Sequence, residues 1–253
     1  MPRYFIEVAY MGTRYNGFQV QLNSNTIQAE VTRALKIFFN KEFALTGSSR
    51  TDAGVHALQN FFHFDTDDEI KQPAIYNLNA ILPYDIVVKN IFETAADAHC
   101  RFNAIARTYH YHIIRYKDPF AFGRAYYYPF KINTDLLHEM AQAIMQFKDF
   151  TSFSKKKTQV KSFTCNIQSS RWVLENNAWR YEIKADRFLR GMVKGLTGTM
   201  LRLAKNNKGG PELIKIFESK NHAAADFSVP SDGLFLIHVE FKTCFNYLTH
   251  IFQ

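Results

Sequence analysis

From Trp179 to Ala185 apolar and charged side chains alternate without a break, with Trp179, Tyr181 and Ile183 on one side and Arg180, Glu182 and Lys184 on the other. A period of two sorts residues onto the two faces of a β-strand, whereas a helix would mix them. The same alternation at residues 3–10 puts Tyr4, Ile6, Val8 and Tyr10 on one face of a half-buried strand, and it recurs over Tyr109–Arg115. Two helices are interleaved with these strands. Thr26 is a suitable N-cap for a stripe of Ile27, Val31, Ala34, Leu35 and Phe38, and Asn133-Thr134 opens another with Leu137, Met140, Ala141, Ile144 and Phe147. Further strands are expected at 42–47, 58–65, 86–92 and 234–243, and a hairpin of Trp172–Leu174 with Trp179–Ala185 around Asn176-Asn177. A third helix is expected over 187–205, ended by Asn206 to Pro211. Neither strict strand–helix alternation nor segregation results. The pattern predicts an α+β fold of two subdomains, 1–108 and 109–253, sharing a merged, mostly antiparallel sheet with helices on one face.

The chain has 253 residues, 47% of them hydrophobic, which suffices for a substantial core. It has no apolar run of about eighteen residues to span a membrane, and Met1-Pro2-Arg3-Tyr4 leads directly into a strand pattern rather than a secretory leader. A cytoplasmic, membrane-free protein is expected. Cys100, Cys165 and Cys244 are scattered and form no CxxC pair, and the nine histidines show no ligand spacing, so neither a disulfide framework nor a metal site is expected. The net charge of +8 and a pI of about 9.3 suit a polyanionic partner.

The segment Gly47-Ser48-Ser49-Arg50-Thr51-Asp52-Ala53-Gly54-Val55-His56 is a polar loop between two apolar strands. Asp and Gly are the ordinary residues of a turn. However, a carboxylate two residues from Arg50 can also stay ionised and serve as a nucleophile or base. The stretch Arg50 to His56 resembles the signature loop of the TruA-type pseudouridine synthases. The resemblance continues in chain order through Tyr10 to Gln19, Asn79 to Pro83, Ala98 to Phe102 (with Cys100 where alanine is common), Ala106 to Tyr111, Asp149 to Phe153, Phe188 to Val193 and Gly233 to Leu236. It implies the pseudouridine synthase fold and the isomerisation of uridine to pseudouridine at positions 38–40 of the tRNA anticodon arm, by a homodimer and without a cofactor.

Residue by residue, the resemblance makes Asp52 the carboxylate that attacks the nucleoside, so that the base detaches, rotates and rejoins through carbon. Arg50 would hold the uridine outside its stack, Tyr109 would lie against the target base, and Leu234 would wall the pocket. Where the family usually has an arginine as partner of the aspartate, this sequence has Lys194. Lysine keeps the charge but lacks the planar fork that grips a carboxylate through two parallel bonds.

On a helical wheel Phe188, Met192, Leu196, Thr199 and Leu203 share one face of the third helix, with Arg187, Arg190, Lys194, Arg202 and Lys205 opposite. Arg187 and Arg190 are thus candidate RNA contacts, as is the cluster Lys155-Lys156-Lys157. The aromatic run Phe120 to Phe130 can stack on bases, although such clusters more often pack a core. Two other functions fit the sequence: a tRNA-binding or RNA-chaperone protein weak in catalysis, which Lys194 would favour, and a pseudouridine synthase for another RNA.

Overall fold

The computed structural model describes residues 1–71, 73–155, 160–175 and 178–242. These form two compact units. One comprises residues 1–105 together with the chain from His238, and the other residues 106–237.

In the first unit β1 (Arg3–Tyr10) is paired antiparallel on both sides, with β3 (His56–Asp65) and with β4 (Ile86–Thr94); the two-residue β2 (Thr46–Gly47) adds to β3. The expected half-buried β1 is in fact covered on both faces, because Phe5 is as fully buried as Ile6. An aromatic group explains the second covering: Phe5 lies 5.8 Å from Phe92 and 5.7 Å from Phe241, and Phe61 lies 5.1 Å from Phe241. Helix α1 (Ile27–Phe39) starts as expected, with Thr26 Oγ1 accepting from the Ala29 N–H at 3.3 Å, and ends at Asn40 in the left-handed conformation. The strand expected over 42–47 shrinks to β2. Phe43 and Leu45 point into the core there from chain that makes no ladder. Helix α2 (Pro73–Ile81) was not anticipated.

The chain enters the second unit within β5 (Ala104–Ile114) and leaves it within β9 (Leu234–Phe241). β5 pairs antiparallel with β8 (Ala178–Ala185), and β8 with β7 (Ile167–Glu175), while β6 (Tyr126–Tyr127) runs parallel to β5. β9 borders β5 in the second unit and β3 in the first. The expected turn residues Asn176 and Asn177 lie outside the described residues, as do Cys244 and the rest of the tail. Helix α3 (Thr134–Ile144) begins at its expected cap, Asn133, whose Oδ1 accepts from the Asp135 N–H at 3.0 Å.

Helix α4 (Met192–Lys205) is shorter than the expected 187–205, because Gly191 takes a left-handed conformation (φ 72°) and ends the preceding turn there. Within α4 the two-faced wheel holds in part: Met192, Leu196, Thr199 and Leu203 are buried and Lys194, Arg202 and Lys205 are the residues that are not, although Gly198 and Leu201 on the basic side are buried as well. Arg187 and Arg190 therefore belong to an exposed turn. Pro211, read as the stop after α4, instead lies in the first turn of α5 (Gly210–Glu218), where a missing N–H costs nothing. Phe217 of α5 gathers Phe147 (4.0 Å, stacked), Phe153 (4.6 Å) and Phe150 (5.3 Å).

The fold is mixed α+β with mostly antiparallel strands, as the sequence pattern predicts, but with five helices among the described residues where three were expected.

Candidate active site

The loop between β2 and β3 lies on the segment that follows β1. The Phe18 N–H donates to the Thr51 carbonyl at 3.1 Å, and the Gly54 N–H to the Tyr15 carbonyl at 3.3 Å. The Val55 N–H donates back to the Asp52 carbonyl at 3.2 Å, closing a turn in which Gly54 has φ 78°. Close approach is needed on the other side too, since a Cβ at Gly12 would sit 2.0 Å from the Val55 carbonyl oxygen.

Side chains complete the clamp. The Asn60 Nδ2 group donates to the Ser49 carbonyl at 2.8 Å and to the Tyr10 hydroxyl at 3.1 Å. The Tyr10 hydroxyl is also 2.8 Å from Thr51 Oγ1, and burial raises its pKa. His56 Nδ1 accepts from the Gly12 N–H at 3.1 Å. Ser48, Ser49, Thr51, Val55 and His56 are buried, Asp52 is half-buried and Arg50 is exposed. The loop is thus anchored on both sides of a carboxylate that solvent still reaches. Held backbone around a partly exposed carboxylate is what a nucleophile on a fixed trajectory requires.

Asp85 is a supporting residue that the sequence reading missed. Its carboxylate accepts from the Tyr15 hydroxyl at 2.6 Å and from Arg14 Nη1 at 3.3 Å, and its carbonyl accepts from the Met11 N–H at 2.9 Å. It ties down the segment on which the loop rests. Burial, followed by the bond to Asp85, raises the pKa of Tyr15. An acidic residue directly after Pro83-Tyr84 was the only available signal.

The second unit holds the remaining candidates. Tyr109 on β5 lies opposite Ile183 of β8, is 8% exposed, and meets the ring of Phe188 edge-on at 5.0 Å. Lys194 stands in the first turn of α4, half-buried, with its Nζ donating to Ser231 Oγ at 3.2 Å. Leu234 opens β9 and is buried, its N–H donating to the Ser231 carbonyl at 2.8 Å. Ser231 therefore links the Lys194 and Leu234 segments, and nothing in the sequence singled it out. The Lys155 N–H donates to the Arg190 carbonyl at 3.0 Å, and the Lys155 side chain lies over Gly191. Lys156 and Lys157 lie outside the described residues. Within its own unit, each set is compact: Arg50 with Asp52 in the first, and Tyr109 with Phe188, Lys194 with Ser231, and Lys155 with Arg190 in the second. Arg202 is engaged elsewhere, donating to the Ala224 carbonyl at 2.7 Å, and Lys205 lies over the Phe130 ring. The aromatic run divides: Tyr128 is buried, whereas Phe120 and Phe122 are exposed. No group of three or more potential metal ligands occurs among the described residues, and no helix there is long and apolar enough to cross a membrane.

The sequence profile of the family described as tRNA pseudouridine synthase matches residues 141–242. Whole-chain relatives extend the match. A tRNA pseudouridine synthase A from Bacteroides fragilis is 41% identical over 246 residues, covering 95% of this chain and 97% of the relative. The chain belongs to the tRNA pseudouridine synthase A family. The tRNA pseudouridine synthase A of Parabacteroides distasonis is 37% identical, with 95% of this chain and 96% of the relative covered. That of Staphylococcus aureus is 33% identical, with 92% and 90% covered. Coverage of this extent includes both the Asp52 loop and the Lys194 turn within the tRNA pseudouridine synthase A match.

Proposed function

We propose that this protein isomerises uridine to pseudouridine in the anticodon stem-loop of tRNA, at positions 38–40. The observation that carries the reading is the Asp52 loop: a half-buried carboxylate between anchored neighbours, in a chain related over nearly its whole length to tRNA pseudouridine synthase A proteins. Asp52 is the nucleophile. Its carboxylate adds to the nucleoside and the glycosidic nitrogen–carbon bond breaks; the uracil turns, carbon five bonds to the sugar, the bond to Asp52 is broken again, carbon five loses its proton and the freed ring nitrogen takes one up. Tyr109 packs against the base and assists that proton's departure. Arg50, exposed beside Asp52, keeps the uridine out of its stack, an extrusion costing a few kcal/mol that other contacts must offset. Lys194 supplies the positive charge that the family's arginine supplies, and Leu234 forms an apolar wall.

Arg187, Arg190 and the Lys155-Lys156-Lys157 cluster bind the RNA backbone, in keeping with the net charge of +8. An isomerisation exchanges no electrons and transfers no group to a second molecule, so these side chains suffice without a cofactor. The protein acts in the cytoplasm as a homodimer. Carbodiimide labelling of pseudouridine followed by primer extension on treated tRNA tests the assignment. Stops at positions 38–40 are expected. Stops confined to another stem, or to another RNA, would refute the substrate assignment.

A further inference from the structure

The first unit contains a cleft of about 220 Å³ to which the proposed chemistry assigns only Arg50 at its edge. Phe18, Leu45 and Gly47 line it from the core side, and Gln19, Arg50, Arg101 and Phe102 are its exposed members. No carboxylate lines it among the described residues, and Arg50 makes no ion pair there. Phe102, in the turn between β4 and β5, is 75% exposed. Hydrogen bonds fix the turn that carries it. His99 Nδ1 accepts from the backbone N–H groups of Arg101 (3.2 Å) and Phe102 (3.4 Å), and the Asn103 N–H donates to the His99 carbonyl at 2.9 Å. The Phe102 ring leans on the His99 ring at 4.2 Å, and the Arg101 guanidinium lies 5.7 Å from its centre.

A rigid aromatic platform flanked by two guanidiniums is the arrangement that holds an unpaired nucleotide, with the ring stacking on the base and the cations meeting phosphate. The volume is below the about 300–1,000 Å³ of drug-sized sites and fits a single planar group. We propose that this cleft binds one unpaired nucleotide of the RNA, distinct from the uridine that reacts, with its base on Phe102 and its phosphate at Arg50 and Arg101. The inference rests on the RNA substrate proposed above.

The test uses the full-length protein and tRNA transcripts carrying 2-aminopurine at single unpaired positions of the anticodon loop. Wild type should quench the fluorescence strongly at one position. Phe102→Ala should lose that quench and bind tRNA about tenfold more weakly, while Phe102→Tyr restores both. Arg101→Gln should lower the slope of log affinity against log salt by about one. Folded Phe102→Ala and Arg101→Gln proteins that match wild type in quench, affinity and salt slope would overturn the proposal. All these readouts are of binding, so a wild type that binds tRNA yet forms no pseudouridine would defeat the catalytic reading and leave this one to be decided on its own.

Discussion

Asn60 illustrates how the loop around Asp52 is held by residues to which the proposed mechanism gives no chemistry. Its amide serves the Ser49 carbonyl and the Tyr10 hydroxyl on one side of Asp52, where no solvent can replace it. Asn60→Ala leaves both acceptors with fewer partners, and a loss of about 2 kcal/mol is expected by chemical denaturation, together with reduced turnover on tRNA. Lys194 is tested by charge. Lys194→Met should lower kcat by about a hundredfold, the usual scale for removing a positioned electrostatic group, whereas Lys194→Arg should stay within about tenfold of wild type. Equal kcat in Lys194→Met and wild type would remove lysine from the mechanism. His63 predicts a pH effect. Burial, reinforced by the charge of Arg3, lowers its pKa from 6.5 to about 4, and its Nδ1 accepts from the Cys100 N–H at 3.3 Å. Between pH 6.5 and about 4 the unfolded chain therefore binds a proton that the folded chain refuses, so stability falls as pH drops through that window. Thermal unfolding from pH 7 to pH 4.5 should show the decline, and His63→Gln should flatten part of it.

At the scale of elements, Gly12 shows a loop and its support folding as one object. Gly12→Ala drives a methyl group into the Val55 carbonyl, so the Asp52 loop must move. Loss of at least about 2 kcal/mol is expected by denaturation, with activity falling further than stability alone explains. The strands and helices with strong periodicity were legible in the sequence: β1 from its alternation, α1 from Thr26 and its stripe, and α3 from Asn133. The misreadings share one physical cause, which is that burial and backbone conformation are decided by neighbours far away in sequence. Phe5 seemed to face solvent until Phe92 and Phe241 covered it. The basic positions around α4 looked like one stripe, but the left-handed Gly191 takes Arg187 and Arg190 out of line with Lys194, Arg202 and Lys205. Pro211 looked like an end and is a beginning. Asp52, Arg50 and Tyr109 stand as site candidates only through resemblance, since turn residues and strand tyrosines are common. Asp85 and Ser231 were invisible because they act through hydrogen bonds to segments distant in sequence.

For the whole molecule, the net charge of +8 makes RNA binding an electrostatic matter. Affinity for tRNA should fall by about a hundredfold or more between about 50 and about 200 mM salt, and much less for Arg187→Gln with Arg190→Gln. Binding alone does not establish catalysis, and the product has the same mass as the substrate. In the proposed reaction the carboxylate of Asp52 initiates an isomerisation that releases the proton from carbon five. Incubation with tRNA carrying tritium at carbon five of uridine, followed by counting of released tritium, measures that step directly. Wild type should release tritium, and Asp52→Asn should release none while still binding the tRNA. Release that persists undiminished in Asp52→Asn, or no release from a wild type that binds tRNA tightly, would remove Asp52 from the reaction or the reaction from this protein.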